Sequence, residues 1–145
     1  LMIGDSGAYL LGLLLGFLII TSHTNNLDVS PYFYISIIWY PCFENLFSIL
    51  RKLNNNSSPL NPDNKHLHQL VFFFIKKRLK LSVIFSNNLS SAILIFFNFL
   101  IIYICSLNPS STIYQVKLII CSALLYISGY LILNKFYELN FKFKK

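Results

Sequence analysis

Leu89-Ser90-Ser91-Ala92-Ile93-Leu94-Ile95-Phe96-Phe97-Asn98-Phe99-Leu100-Ile101-Ile102-Tyr103-Ile104-Cys105-Ser106 holds no charged side chain and a single carboxamide. Wound as an α-helix it is about 27 Å long, close to the ~30 Å hydrocarbon core of a bilayer. Three further stretches share its character: Gly7 to Ser22, Tyr32 to Leu50, and Ile113 to Leu133. Four such runs in 145 residues, with 55% hydrophobic and 12% charged residues, leave more apolar surface than one water-soluble domain of this size can bury. The mean hydropathy of +0.60 agrees. The expected fold is an all-α polytopic membrane protein: one membrane domain of four transmembrane helices, spanning about 7–22, 32–50, 89–106 and 113–133.

The first run is not a cleaved signal, because it opens at Asp5 and ends in Thr21-Ser22-His23, with neither a basic leader nor a small-residue cleavage site. Charge placement orients the spans. Of twelve Lys and Arg, seven fall between Arg51 and Lys80 and four between Lys135 and Lys145. Basic loops stay in the cytoplasm, so residues 51–88 and both ends are expected inside, and residues 23–31 and 107–112 outside. Lys117, one turn into the last span, is read as snorkelling to the headgroups. With its basic residues committed to topology, the formal charge of +7 does not argue for a nucleic-acid partner. Cys42, Cys105 and Cys121 sit in apolar stretches without CxxC spacing, which indicates neither a disulfide framework nor a zinc site.

The loop 51–88 divides in two. Asn54-Asn55-Asn56-Ser57-Ser58, preceding Pro59 and Pro62, has turn chemistry. Asn64 to Lys80 carries Leu67, Leu70, Val71, Phe74 and Ile75 at helical spacing ahead of Lys76-Lys77-Arg78. That pattern predicts a cytoplasmic interfacial helix, apolar face in the headgroup boundary and basic end on anionic lipid. Gly12 and Gly16 form a GxxxG that permits close helix packing.

Only five acids exist, so each position is informative. Asp28 and Glu138 read as loop and tail charges. Asp5, in Ile3-Gly4-Asp5-Ser6-Gly7, is either an N-terminal helix cap or a carboxylate ligand for a hard cation such as Mg²⁺. Glu44 lies in the second span six residues, or about 9 Å, from its end, so it must face protein or a wet cavity. Pro41 can kink that helix nearby; pairing with Arg51, two turns on, is the other reading of Glu44. Asp63 is a good N-cap for the helix that begins just after it. His66 and His68, at i and i+2, diverge on a helix but share a side of an extended chain, so joint use of both requires that the helix has not yet begun. Solvated or capping histidines are the plainer alternative.

Taken in order, Ile3-Gly4-Asp5-Ser6-Gly7, Tyr40-Pro41-Cys42-Phe43-Glu44-Asn45-Leu46-Phe47-Ser48-Ile49-Leu50-Arg51-Lys52, and Pro62-Asp63-Asn64-Lys65-His66-Leu67-His68 resemble one family. It is the polyprenyl-phosphate N-acetylhexosamine-1-phosphate transferases, the WecA/MraY-like glycosyltransferase family 4. The P-D-x-x-H-x-H pattern is closer to the branch serving O-antigen and other bacterial surface glycans. The resemblance implies transfer of a sugar 1-phosphate from a UDP-N-acetylhexosamine to undecaprenyl phosphate, with release of UMP, at the cytoplasmic face of the bacterial inner membrane. It implies Mg²⁺ held by Asp5, with Asp5, His66 and His68 catalytic. His66, His68, Gln69, Arg51 and Asp63 would bind substrate, and Glu44 would sit where the family often has an intramembrane acid. Gln69 stands where the family usually has a further histidine; it can hydrogen-bond but cannot become cationic. The paired aspartates of an earlier family loop have no counterpart here, so the chain is expected to be the C-terminal part of a larger transferase, inactive alone, with a homodimer left open. The alternative from another class is a small non-enzymatic four-span membrane protein with a structural or assembly role.

Overall fold

A computed structural model describes residues 4–56, 58 and 65–142, with the backbone alone at 4, 5, 141 and 142. Six helices succeed one another: α1 (Gly4–Asn25), α2 (Pro31–Ile37), α3 (Trp39–Asn54), α4 (Leu67–Leu79), α5 (Val83–Ser106) and α6 (Thr112–Lys142). There is no strand among the described residues. Three helices are long and apolar enough to cross a membrane, α1, α5 and α6, and the bent pair α2–α3 makes a fourth crossing if counted as one. The all-α polytopic architecture is therefore present.

The second span is not the single helix expected over 32–50. Its two halves meet at 72° across Ile38, whose φ of −102° and ψ of 10° belong to neither helix. Pro41 accounts for the position of the break. It has no N–H to offer the carbonyl of Ile37 four residues back, and its ring clashes with that carbonyl, so the helix yields there. At the other end, α2 starts cleanly. Pro31 takes the first helical position, and the Ser30 hydroxyl accepts from the Tyr32 N–H at 3.3 Å.

The core is aromatic and lies between α3, α5 and α6. Trp39, Phe43 and Phe47 recur at i, i+4 on α3 and meet Tyr126 and Tyr130, themselves i, i+4 on α6. Phe43 stands edge-on to Tyr126 at 5.1 Å, Phe47 to Tyr130 at 4.8 Å, and Trp39 to Phe97 at 6.1 Å. Each such pair is worth about 0.5–1.5 kcal/mol beyond its buried area. Between the packed helices the polar residues Ser36, Ser86, Ser90, Gln115 and Ser122 are buried, while Leu13, Phe96 and Ile132 are turned outward. Polar inside and apolar outside is the arrangement lipid selects.

The α5–α6 turn is fastened to α2 by side chains. Gln115 is fully buried; its Nε2 donates to the carbonyls of Cys105 and Asn108, each at 2.9 Å, and its Oε1 accepts from the Ser36 hydroxyl at 3.3 Å. Beside it the Ser30 N–H donates to the Pro109 carbonyl, and the hydroxyls of Ser30 and Thr112 are 3.0 Å apart.

Two packing expectations need correction. Leu67, Leu70 and Ile75 of α4 are buried against the bundle, with Phe73 on Tyr137 at 4.9 Å and Phe74 on Phe136 at 5.0 Å. The helix thus docks on α5 and α6, because the aromatics of α6 continue past the expected end of its span and offer a protein surface. Its basic residues Lys76, Lys77, Arg78 and Lys80 stay exposed. Gly12 and Gly16, in turn, face open space: a Cβ at either would meet nothing within 4 Å, so this GxxxG packs no helix among the described residues. Lys117 is exposed, as snorkelling requires.

Candidate functional site

The site candidates converge where α4 begins, against the C-terminal half of α3. His66 is the N-cap of α4, its φ of −70° and ψ of 152° extended, and His68 is the second residue of the helix. Because the backbone is extended at 66, the i and i+2 rings stand on one side, stacked with centroids 5.7 Å apart and planes 12° from parallel. His66 is half-buried and His68 exposed.

Glu44 is what holds this turn. It is only 8% exposed, and its Oε1 accepts from the Leu67 backbone N–H at 2.9 Å and meets Nδ1 of His66 at 3.1 Å. Leu67 is the first helical residue of α4, so its N–H has no partner within the helix. A carboxylate from another helix therefore satisfies it, at the end where the helix dipole is positive. The second oxygen, Oε2, is buried with no donor at hydrogen-bonding geometry among the described residues. The phenols of Tyr40 and Tyr126 are its electrostatic neighbours. Of the two readings of Glu44, the one that faces protein is observed, and its partner is His66.

Gln69 completes the cap. Its Oε1 accepts from the His66 N–H at 3.3 Å, which is the N3 half of a capping box. The residue in place of a further histidine thus fastens the histidine turn. Arg51 works on the preceding residues. Its Nη1 donates to the Lys65 carbonyl at 2.9 Å and to the Tyr130 hydroxyl, Nη2 reaches Ser48 Oγ at 3.4 Å, and the guanidinium lies 5.4 Å from the Tyr130 ring centre. Lys65 Nζ pairs with Glu138 Oε1 at 3.3 Å, so that acid, expected to be an ordinary tail charge, tethers the segment to α6.

Beside the histidines opens a recess of about 430 Å³ between α4 and the first turns of α5. His68, Gln69, Asn87 and Asn88 supply its polar edge, and Phe72, Val83 and Ile84 its apolar wall. Three carboxamides and an imidazole can both donate and accept hydrogen bonds, and none of the lining residues among those described is acidic. Such a surface tolerates an anionic, hydroxyl-rich ligand.

Among the sequence candidates, Glu44, Arg51, His66, His68 and Gln69 gather around this turn. Asp63 lies outside the described residues, as does the side chain of Asp5, whose backbone is in the first turn of α1. No group of three His, Cys, Asp or Glu side chains that could hold a metal exists among the described residues, and Glu44 Oε1 is already engaged by the Leu67 N–H and His66 Nδ1. Those residues do not fit a Mg²⁺ cage. Sequence reasoning missed Tyr130, Tyr126, Asn87 and Asn88. The two tyrosines were detectable as an i, i+4 pair of polar-tipped rings within an apolar span, and the asparagines as a polar doublet at a span's entry.

No protein-family model matches the chain, and neither a curated protein nor a solved structure matches it.

Proposed function

We propose that this chain is part of a membrane transferase that moves a sugar 1-phosphate, N-acetylhexosamine 1-phosphate, from a UDP-sugar to undecaprenyl phosphate, releasing UMP. The observation that carries the reading is the stacked His66–His68 pair, held by Glu44, Gln69 and Arg51 at the edge of a recess lined by carboxamides. The order of the Asp5, Glu44 and His66–His68 motifs along the chain supplies the reaction class. A lipid phosphate attacking a diphosphate brings anion to anion, so the reaction needs cationic or hydrogen-bond donors placed where charge gathers. Imidazoles can donate there, and the carboxamides of Asn87, Asn88 and Gln69 suit sugar hydroxyl and acetamido groups. Mg²⁺, when bound, would neutralise phosphate charge, and it enters the proposal through Asp5 alone. The basic character of segment 51–88 supports a cytoplasmic site, on the side where nucleotide sugars are available.

One observation favours a second reading, a non-enzymatic membrane protein: the bonds of His66 and Gln69 also make a complete structural joint. The test is UMP release from UDP-N-acetylglucosamine by membranes expressing the gene's whole open reading frame, given undecaprenyl phosphate and Mg²⁺. His68→Ala, an exposed position, should lower release at least ~100-fold, about the loss of one preorganised charge-stabilising donor. Wild-type membranes without release, or a variant at full rate, would leave the structural reading standing.

A further inference from the structure

Glu44 is a buried acid inside an apolar helix, a position that is costly unless the charge is used. Its Oε1 accepts from Leu67 N–H at 2.9 Å, a bond whose direction is unambiguous because a backbone amide can only donate. The same oxygen meets His66 Nδ1 at 3.1 Å. An oxygen already serving as acceptor, on a group that is acceptor-only when ionised, is best matched by a second donor. Nδ1 therefore carries a proton.

From this geometry we infer that Glu44 is the positioning residue of the site: it fixes His66 as the Nδ1–H tautomer and sets the ring's rotamer. The carboxylate acts from α3, 22 positions earlier in the chain, so the ring is set by tertiary packing and not by its own loop. One oxygen couples two events, the start of α4 and the tautomer of the histidine at its cap. A carboxylate on the far nitrogen of a working imidazole is how proteins hold tautomer and orientation together. Tyr40 and Tyr126 stand near the carboxylate, Tyr126 in the buried core and Tyr40 packed against it. The catalytic consequence rests on the transferase reading; the tautomer does not.

The experiment uses the full-length protein in nanodiscs, with 15N-labelled histidine and two-bond nitrogen–proton NMR at a pH where the ring is neutral. His66, assigned by loss of its signals in His66→Gln, should show protonated Nδ1 and unprotonated Nε2. Glu44→Gln, which keeps an acceptor oxygen but not the charge, should retain that pattern, whereas Glu44→Leu should move it toward the Nε2–H form. In the UMP-release assay Glu44→Leu should lose about 10–100-fold in kcat, the usual scale for a residue orienting a working histidine, with KM for the UDP-sugar within about threefold. Glu44→Gln should recover most of the rate. Wild-type His66 in the Nε2–H form overturns the inference, even if Glu44→Leu fails to fold. So does a Glu44→Leu protein with an unchanged tautomer. A Nδ1–H ring in a protein that releases no UMP supports the positioning and refutes the transferase reading instead.

Discussion

Replacing Gln115 by leucine tests the packing of the bundle without touching the histidine turn. The side chains are of similar size, so the substitution opens no large cavity and isolates the hydrogen bonds. Gln115 donates two short bonds, to the carbonyls of Cys105 and Asn108 at 2.9 Å each, and accepts one longer bond from Ser36 at 3.3 Å. The Ser36 hydroxyl also donates to the Tyr32 carbonyl at 2.9 Å, so it retains a partner and its loss counts little. The cost thus rests on the two carbonyls. A membrane-embedded side-chain bond averages ~0.6 kcal/mol and reaches ~1.7, while a stranded buried acceptor costs about 1–3 kcal/mol. Gln115→Leu should therefore destabilise by about 2–3 kcal/mol, and Ser36→Ala by less than ~1 kcal/mol. The chain carries a single tryptophan, Trp39, buried in the aromatic core, and its fluorescence reports unfolding in mixed micelles as the SDS fraction rises. A loss below ~0.5 kcal/mol for Gln115→Leu, or a larger loss for Ser36→Ala, would refute the view that Gln115 fastens α2 to the α5–α6 turn.

Two further outcomes are expected. Arg51→Lys keeps the charge but not the fork that joins Lys65, Tyr130 and Ser48; amide hydrogen exchange across residues 65–70 should rise at least ~10-fold, about 1.4 kcal/mol of local opening, and unchanged exchange would remove Arg51 from the joint. Asp5→Asn should abolish UMP release by the full-length protein if Asp5 holds Mg²⁺; a wild-type rate at limiting Mg²⁺ would take it out of the metal site.

Much of this molecule is legible in one dimension. Hydropathy over Leu89 to Ser106 and its three companions reports a property of each segment alone, and α1, α5 and α6 lie where it puts them. The start of α4 is legible only in part: two histidines at i and i+2 share a side only on an extended chain, as they do here, but the helix expected from Asn64 behind an Asp63 cap begins at Leu67, with His66 as its N-cap. Span ends are less legible. The last helix runs to Lys142, ten or so residues past the apolar stretch, since Tyr137 and Phe136 find partners on α4 that no local window contains.

Partnership is what the tertiary structure alone decided. Sequence spacing offered Glu44 a choice between Arg51 on its own helix and something across the bundle; the fold gave it His66 and Leu67, and gave Arg51 Tyr130 and the Lys65 carbonyl. The same holds for α4, whose apolar face suited lipid or protein equally until the aromatics of α6 stood beside it. By itself the sequence determined which segments are apolar enough for a bilayer and where the helices must be capped or broken, because burial preference and backbone restriction belong to single residues and their near neighbours. Which polar group satisfies which depends on residues far apart in sequence arriving within about 3 Å, and that distance exists only in the folded chain.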